Sequence, residues 1–384
     1  MTTSVTIPKA AGTNPLKGLL EYGQSPWMDY IRRDLLTGGG LKKMIEEDGL
    51  RGMTSNPSIF EKSITGSTLY SDILTSQAAT SLDAKGIYEK IAIRDVQDAC
   101  DIFRPTYQST RRRDGYVSLE VSPYLANDTK GTLEEARRLW KAVNRENLMI
   151  KVPGTPEGVP AIRQLLEDGL NINVTLLFAQ SAYEAVAEAF FAALEARVLK
   201  RMDISHCASV ASFFVSRIDT LVDSKIEEKL KTAGGASKDL LTSLEGKVAI
   251  ANAKLTYKKY QELYGGTRWK ALAAKGGQPQ RLLWASTSTK NPKYRDVLYV
   301  EELIGAETVN TIPPATFDAF REHGQLRPSL TEDVPGAARI MENLDKAGIS
   351  MKEVTDKLLV DGVKLFADAF KALLDATGKS AGAR

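Results

Sequence analysis

The chain has few residues of the kinds on which disulfide scaffolds and zinc sites depend. Of its 384 residues only two are cysteines, Cys100 and Cys207, and only two are histidines. Two cysteines cannot cross-link a chain of this length, and no Cys-x-x-Cys or histidine-rich spacing is present. We therefore expect neither a disulfide framework nor a metal, and we expect a reducing, cytoplasmic location.

Excess charge and long apolar runs are also missing. The 51 basic and 48 acidic residues leave a net charge of +3, too small for the positive field that binds nucleic acid non-specifically. No run approaches the roughly 18 to 20 apolar residues that span a bilayer, and the first residues lack the apolar core of a signal peptide. The expected partner is a small molecule, with no nucleic acid and no membrane.

Short apolar runs alternate with longer segments of helical periodicity. Some runs, such as LLWA and VTLLF, are apolar at successive positions, which is typical of parallel strands covered on both faces. Repeated strand–helix units predict an α/β fold, a closed (β/α)₈ TIM barrel, with a doubly wound open sheet as the alternative. The eight predicted strands are Pro26 to Tyr30, Gly52 to Ser55, Tyr116 to Val121, Leu148 to Val152, Ile172 to Leu177, Ala208 to Val215, Leu282 to Ala285 and Thr308 to Ile312.

Two connections, Asn56 to Gly115 and Asp219 to Gln280, exceed an ordinary crossover, and both have helical periodicity. They predict helical insertions in a single barrel domain of residues 21–376. Residues 1–20 are expected to form a flexible arm and residues 377–384 a frayed tail. The apolar stripe from Lys352 to Asp375 predicts a C-terminal helix that packs on the barrel or over its mouth.

Polar residues recur where the predicted strands end, which is the active-site face of such a barrel. Lys151 follows an apolar run, where it could simply end the strand and reach water, or act as a partly desolvated amine that attacks a carbonyl carbon. Asp29 and Glu120 lie on the first and third predicted strands, and charges in a barrel interior require pairing or a function. The other candidates at these ends are Asn56, Asn173, Thr175, Ser212, Phe214, Arg217, Ser288 and Lys290.

Five motifs occur in a fixed order: GMTSNPSIF, VSLEVSP, LMIKVPGT, GLNINVTLLF and ASVASFFVSRID. Together they resemble the transaldolase family, from about Pro26 to Phe370. The likeness is nearest to the longer branch, some members of which are fused to a phosphoglucose isomerase; no isomerase portion is present in this sequence.

The resemblance implies a Schiff-base transferase of the non-oxidative pentose phosphate pathway. A dihydroxyacetone unit would pass from sedoheptulose 7-phosphate or fructose 6-phosphate to glyceraldehyde 3-phosphate or erythrose 4-phosphate. No cofactor is implied, and both a monomer and a homodimer stay open.

The resemblance also implies catalytic roles for four residues. Lys151 stands at the position of the Schiff-base lysine. Asp29 matches the acid/base that takes the proton from the sugar C4 hydroxyl. Glu120 and Thr175 match a pair that holds a catalytic water and relays protons.

Further positions match substrate-binding residues of the family. Asn56 and Asn173 would hold the dihydroxyacetone hydroxyls. Ser212 and Phe214 would form the pocket wall. Arg217 and Ser288 would bind the phosphate. Lys290 stands where other branches have a second phosphate-binding arginine. Lysine supplies the charge but not the two parallel contacts of a guanidinium.

Two other functions fit many of the same residues. A class I aldolase would form the same imine but release the three-carbon unit, and the sequence does not distinguish the two outcomes. A barrel that only binds sugar phosphates is the other rival. The combination of Lys151, Glu120, Asp29 and Thr175 argues against it, since simple binding requires none of these four.

Overall fold

The computed structural model describes residues 14–65, 67–74 and 82–382, with side chains described up to residue 378. These residues contain a closed barrel of eight parallel strands, each paired with the next and β8 with β1. The predicted barrel is confirmed, and its closure excludes the open sheet. The strands are β1 (Gln24–Asp29), β2 (Gly52–Thr54), β3 (Tyr116–Glu120), β4 (Leu148–Pro153), β5 (Ile172–Leu177), β6 (Ser209–Phe214), β7 (Arg281–Ala285) and β8 (Thr308–Ile312).

Helices alternate with the strands. They are α1 (Pro15–Gly18), α2 (Arg33–Thr37), α3 (Gly40–Glu47), α4 (Pro57–Ile64), α5 (Ser71–Leu74), α6 (Ala84–Ser109), α7 (Thr129–Val143), α8 (Gly158–Asp168), α9 (Gln180–Leu199), α10 (Ser216–Leu230), α11 (Gly235–Leu244), α12 (Val248–Gly265), α13 (Thr267–Ala273), α14 (Leu298–Glu302), α15 (Pro314–His323), α16 (Val334–Lys346) and α17 (Met351–Gly382). Short 3₁₀ helices span Leu19–Tyr22, Pro123–Leu125 and Ser329–Thr331. Both long connections contain helices, as predicted: α4 to α6 and α10 to α13.

Local sequence explains how α4 begins at the carboxyl end of β2. The side chain of Asn56 accepts a hydrogen bond from the amide of Ile59 at 3.0 Å, and Pro57 occupies the first helical position. An asparagine cap followed by proline is a strong helix start, because both satisfy the amide groups that have no partner within the helix. The helix therefore starts directly beside the mouth of the barrel.

The termini differ from the sequence-based expectation. Residues 1–13 of the predicted arm lie outside the described residues, but residues 15–20 are helical, and Leu16 and Leu19 are fully buried. At the other end, α17 continues through the predicted frayed tail to Gly382, and Thr377 is buried. Burial of Leu16 and Leu19 holds the N-terminal segment against the barrel. At the C-terminus, the hydrogen bonds of α17 continue without a break into the predicted tail.

The amino ends of the strands enclose a polar cluster. Arg281, the first residue of β7, donates to Asp114 Oδ1 and to Ser25 Oγ, each at 2.8 Å, and Ser25 donates to Asp114 Oδ2 at 2.8 Å. Arg281 and Asp114 are both buried. This ion pair joins β1, β7 and the segment before β3 at the end of the barrel opposite the strand carboxyl ends.

Candidate active site

Lys151 lies on β4 inside the barrel and is only 5% exposed. Its Nζ is 3.5 Å from Glu120 Oε2 and donates to the carbonyl of Ser55 at 3.3 Å. Glu120 reaches this position because it is the register partner of Lys151 on the neighbouring strand β3. The lysine therefore does not end its strand in water, and a buried amine lies beside a buried carboxylate.

Burial raises the pKa of Glu120 to about 7, although Lys151 opposes the shift by favouring the ionised form. Within the described residues neither carboxylate oxygen of Glu120 has a hydrogen-bond partner. The 3.5 Å separation from Lys151 is an ion-pair distance and is too long for an ordinary hydrogen bond. A carboxyl group with a pKa near neutrality can accept and return protons at physiological pH.

Asp29 stands at the end of β1, beside the same interior. Its Oδ1 accepts a hydrogen bond from Thr54 Oγ1 at 2.8 Å, and the Thr54 hydroxyl lies 2.6 Å from that of Thr311. Desolvation raises the pKa of Asp29 above its usual range, while Lys151, the bond from Thr54, and Arg217 reduce the shift. A second carboxylate thus faces Lys151 in different surroundings from those of Glu120.

β5 supplies Thr175 and Asn173. The hydroxyl of Thr175 is fully buried and has no hydrogen-bond partner among the described residues. Asn173, the register partner of Lys151, donates to Ser118 Oγ at 2.9 Å and accepts from Ser212 Oγ at 2.6 Å. The strand becomes irregular after Val174, so the register between β5 and β6 shifts beside Thr175.

Three cations line the outer part of the cleft: Lys62 on α4, Arg217 on α10 and Lys290 after β7. Lys290 donates to Ser288 Oγ at 2.8 Å. Burial, then Arg217 and then Lys62 lower the pKa of Lys290, and burial likewise lowers the pKa of Arg217. In the parts of the chain that the structure describes, neither Lys62 nor Arg217 forms an ion pair. Such a group of cations suits a dianionic ligand.

The C-terminal helix α17 closes one side of the cleft, as the sequence predicted. Phe366 is 9% exposed, and its ring centre lies 5.6 Å from Lys151 Nζ and 5.9 Å from the guanidinium carbon of Arg217. Phe214, the last residue of β6, lines another side of the cleft, and its ring centre lies 5.3 Å from the same guanidinium carbon. The space between these walls has a volume of about 720 Å³, enough for a phosphorylated sugar.

Comparison with known proteins agrees with this arrangement. The sequence profile of the family described as transaldolase/fructose-6-phosphate aldolase matches residues 26–377. The chain belongs to this family. It is 47% identical over 367 residues to a transaldolase of Trichodesmium erythraeum, an alignment that covers 95% of this chain and 97% of the relative.

Alignments with two other relatives cover similar shares of both chains. "Transaldolase 2" of Nostoc punctiforme is 47% identical over 368 residues, which cover 95% of this chain and 97% of the relative. A transaldolase of Thiobacillus denitrificans is 46% identical over 365 residues, which cover 95% of this chain and the whole of the relative. The likeness therefore includes the barrel, both insertions and most of α17.

The structure brings most of the sequence-predicted site residues into one cleft. Two of them stand behind its wall: Glu120 contacts Lys151, and Asn173 is bonded to Ser212. Those that line the cleft directly are Asp29, Asn56, Lys151, Thr175, Ser212, Phe214, Arg217, Ser288 and Lys290.

Sequence reasoning missed Lys62 and Phe366 as cleft residues. One sequence feature could have indicated Lys62: it lies six residues after Asn56, on a helix that begins at the mouth of the barrel. Phe366 belonged to the predicted apolar stripe, but the stripe did not indicate which residue would face Lys151.

Membrane spans and metal clusters are both missing from the part of the chain that the structure describes. None of the described helices is both long enough and apolar enough to cross a membrane. The same residues contain no group of three or more His, Cys, Asp or Glu side chains that could hold a metal ion.

Proposed function

We propose that the protein is a transaldolase that carries a dihydroxyacetone unit on Lys151 from a ketose phosphate to an aldose phosphate. The observation that carries the proposal is a buried amine 3.5 Å from a buried carboxylate, at the base of a cleft lined by three cations. Fructose 6-phosphate and sedoheptulose 7-phosphate are the proposed donors, and erythrose 4-phosphate and glyceraldehyde 3-phosphate the acceptors. The relatives named transaldolase support transfer over simple aldol cleavage.

The first stage forms an imine. The ammonium of Lys151 gives a proton to Glu120, and the free amine attacks the ketose carbonyl to form a carbinolamine. The carbinolamine hydroxyl is then protonated and leaves as water. Glu120, with its pKa near 7, and the Thr175 hydroxyl are the groups proposed to relay these protons.

The second stage breaks and remakes a carbon–carbon bond. The protonated imine withdraws electrons as the C3–C4 bond breaks, and Asp29 accepts the proton of the C4 hydroxyl. The first aldehyde leaves, and the three-carbon enamine stays on Lys151 until a second aldehyde arrives. The same steps in reverse order then form the new bond and free the product. Two carboxylates in different surroundings suit these two different proton transfers.

The phosphate of either sugar is proposed to lie between Arg217, Ser288, Lys290 and Lys62. Lys290 and Lys62 act as point charges, so charge from two elements replaces the bidentate contact that a second arginine would make. Asn56, Ser212 and Phe214 then face the three-carbon end of the donor, and Asn173 holds Ser212 from behind the wall. A cytoplasmic location is part of the proposal and is supported by Cys100 and Cys207, which are free thiols.

The activity is tested by incubating the protein with fructose 6-phosphate and erythrose 4-phosphate and following both products. A transaldolase forms sedoheptulose 7-phosphate and glyceraldehyde 3-phosphate in equal amounts. Release of free dihydroxyacetone as the main product would instead identify an aldolase. Binding of the sugar phosphates without turnover would identify a non-catalytic barrel.

Lys62→Met tests the third cation. We expect the KM for erythrose 4-phosphate to rise at least about tenfold, because a hydrogen bond to a charged group contributes roughly 1.5 to 3 kcal/mol. The KM for unphosphorylated erythrose should not change. Lys293→Met is the matched control, since Lys293 is an exposed lysine of the β7–α14 segment that does not line the cleft. Equal effects of the two substitutions would exclude a phosphate contact by Lys62.

A further inference from the structure

We infer that Phe366 determines whether the carbon unit held on Lys151 is transferred or released. The inference rests on the proposed function, because it concerns the fate of the enamine intermediate. Phe366 lies on the C-terminal helix, far along the chain from the strand residues that the imine chemistry uses. Its ring nevertheless stands over the reactive nitrogen, 5.6 Å from Lys151 Nζ.

The position of the Phe366 ring is fixed by the packing of α17 one turn before it and one turn after it. Gly362, Phe366 and Phe370 follow one another at four-residue intervals and therefore share one face of the helix. A Cβ at Gly362 would lie 3.0 Å from Leu176 Cδ2 and 3.6 Å from Arg217 Nη1, so the absent side chain lets the helix approach the barrel closely. One turn after Phe366, Phe370 is buried with its ring centre 5.6 Å from that of Tyr88.

Phe366 also contacts the opposite end of the substrate space. Its ring centre lies 5.9 Å from the guanidinium carbon of Arg217, the proposed phosphate ligand. An apolar ring that reaches both Lys151 and Arg217 covers the region in which the three-carbon enamine would stand.

The chemistry makes this cover decisive. Release requires two additions to the enamine: a proton on its nucleophilic carbon, which regenerates the iminium, and water on the iminium carbon. The resulting carbinolamine breaks its C–N bond, freeing dihydroxyacetone and the amine. Transfer does not require that proton, because the enamine carbon attacks the second aldehyde; one water then hydrolyses the imine of the new ketose, as one water does in release. A side chain that keeps water, the source of that proton, from the enamine carbon therefore slows release and leaves transfer intact.

The test measures the ratio of sedoheptulose 7-phosphate formed to dihydroxyacetone released, with fructose 6-phosphate as donor and saturating erythrose 4-phosphate. Phe366→Ala opens the cover, and we expect a several-fold fall in this ratio. Phe366→Leu keeps an apolar cover without the ring and should restore most of the ratio. Val360→Ala is the control, because Val360 is 68% exposed on the same helix and does not line the cleft.

Three results would overturn the inference. In the first, Phe366→Ala keeps the wild-type ratio. In the second, it lowers kcat or raises the KM for fructose 6-phosphate without changing the ratio, which is the effect of a merely structural side chain. In the third, Phe366→Leu is as impaired as Phe366→Ala, which would assign the effect to the aromatic face. A wild-type protein that neither transfers nor releases the carbon unit would instead contradict the proposed function itself.

Discussion

Glu120 and Asp29 differ in how the protein surrounds them, and the difference suits two proton transfers. Glu120 is fully enclosed next to Lys151, and burial brings its pKa to about 7. Asp29 retains a hydrogen bond from Thr54 and lies where the barrel opens into the cleft. In the proposed mechanism the first carboxyl serves the imine nitrogen, and the second serves groups of the sugar that extend outward.

Glu120→Gln should remove a pH dependence of both activity and stability. In the wild type, the single-turnover rate of imine formation should rise with pH through about 7 as Glu120 ionises; in the variant this rate should be low and lack the rise. The folded pKa lies above the ordinary value of 4.5, so the contribution of this group to stability is present below pH 4.5 and lost by about pH 7.

The variant should therefore gain stability relative to wild type as pH rises from 4.5 to about 7, by at most about 3.5 kcal/mol at ~1.4 kcal/mol per pKa unit. Denaturant unfolding across this range measures the effect. Glu134→Gln is the control, because the Glu134 side chain is 68% exposed. If the unfolding free energies of Glu120→Gln and Glu134→Gln change with pH in parallel, the folded protein does not bind the proton of the Glu120 carboxyl more tightly than the unfolded chain does.

At the scale of elements, α17 joins the barrel through a cluster of aromatic rings. Phe370 is 2% exposed and packs edge-on against Tyr88 of α6 and Tyr124 of the 3₁₀ helix after β3, with ring centres 5.6 and 5.4 Å apart. This contact ties the last helix to the element that follows the strand of Glu120. The helix is thus held where Phe366 can reach the site.

Phe370→Ala should lower the free energy of unfolding by about 3 kcal/mol or more, because it deletes a buried ring and leaves a cavity. Equilibrium denaturation in urea measures the loss. Val360→Ala, at an exposed position of the same helix, should change it by only about 0.5 kcal/mol. If the two substitutions cost the same, α17 does not depend on this contact.

The strands were predictable because the parallel barrel buries both of their faces, so that most strands appear in the sequence as short apolar runs. β5 and β8 have the predicted bounds, while β1 begins at Gln24, two residues early, since Gln24 and Ser25 are polar but buried. Four-residue helices such as α1 are too short for a periodic signal.

The site was predictable where a residue lies on a strand or within a few residues of its carboxyl end. Lys151 and Glu120 break apolar runs, and such breaks are visible in the sequence alone. Lys62 and Phe366 lie on helices, where an exposed lysine and an apolar stripe are ordinary features. Their places in the cleft depend on how α4 and α17 pack against the barrel, which helical periodicity does not specify.

At the scale of the whole molecule, the two ends of the barrel have different tasks. The carboxyl end carries the cleft, where Lys62 and Arg217 form no ion pair among the described residues and Lys151 Nζ lies 3.5 Å from Glu120 Oε2. The amino end carries the buried Arg281–Asp114 ion pair with its Ser25 contacts. In barrels of this fold, chemistry resides at the first end, and the second contributes to stability.

Asp114→Asn should therefore reduce stability without changing the turnover of the folded protein. Removing one charge leaves Arg281 buried without its partner, at a cost of roughly 3 to 5 kcal/mol in unfolding free energy. Asp318→Asn breaks an exposed pair with Arg321 and should cost at most about 1 kcal/mol. Unfolding curves and kcat of both variants check this. A large loss of kcat at a temperature where Asp114→Asn is folded would contradict the separation of tasks.

The most direct test of the central claim, covalent catalysis at Lys151, is reductive trapping. The protein is incubated with fructose 6-phosphate, reduced with borohydride, digested and mapped by mass spectrometry. We predict a three-carbon adduct on Lys151, diminished when erythrose 4-phosphate is added before the reductant and missing in folded Lys151→Ala. Wild-type protein that binds the sugar phosphate but carries no adduct, or carries it on another lysine, would contradict the account.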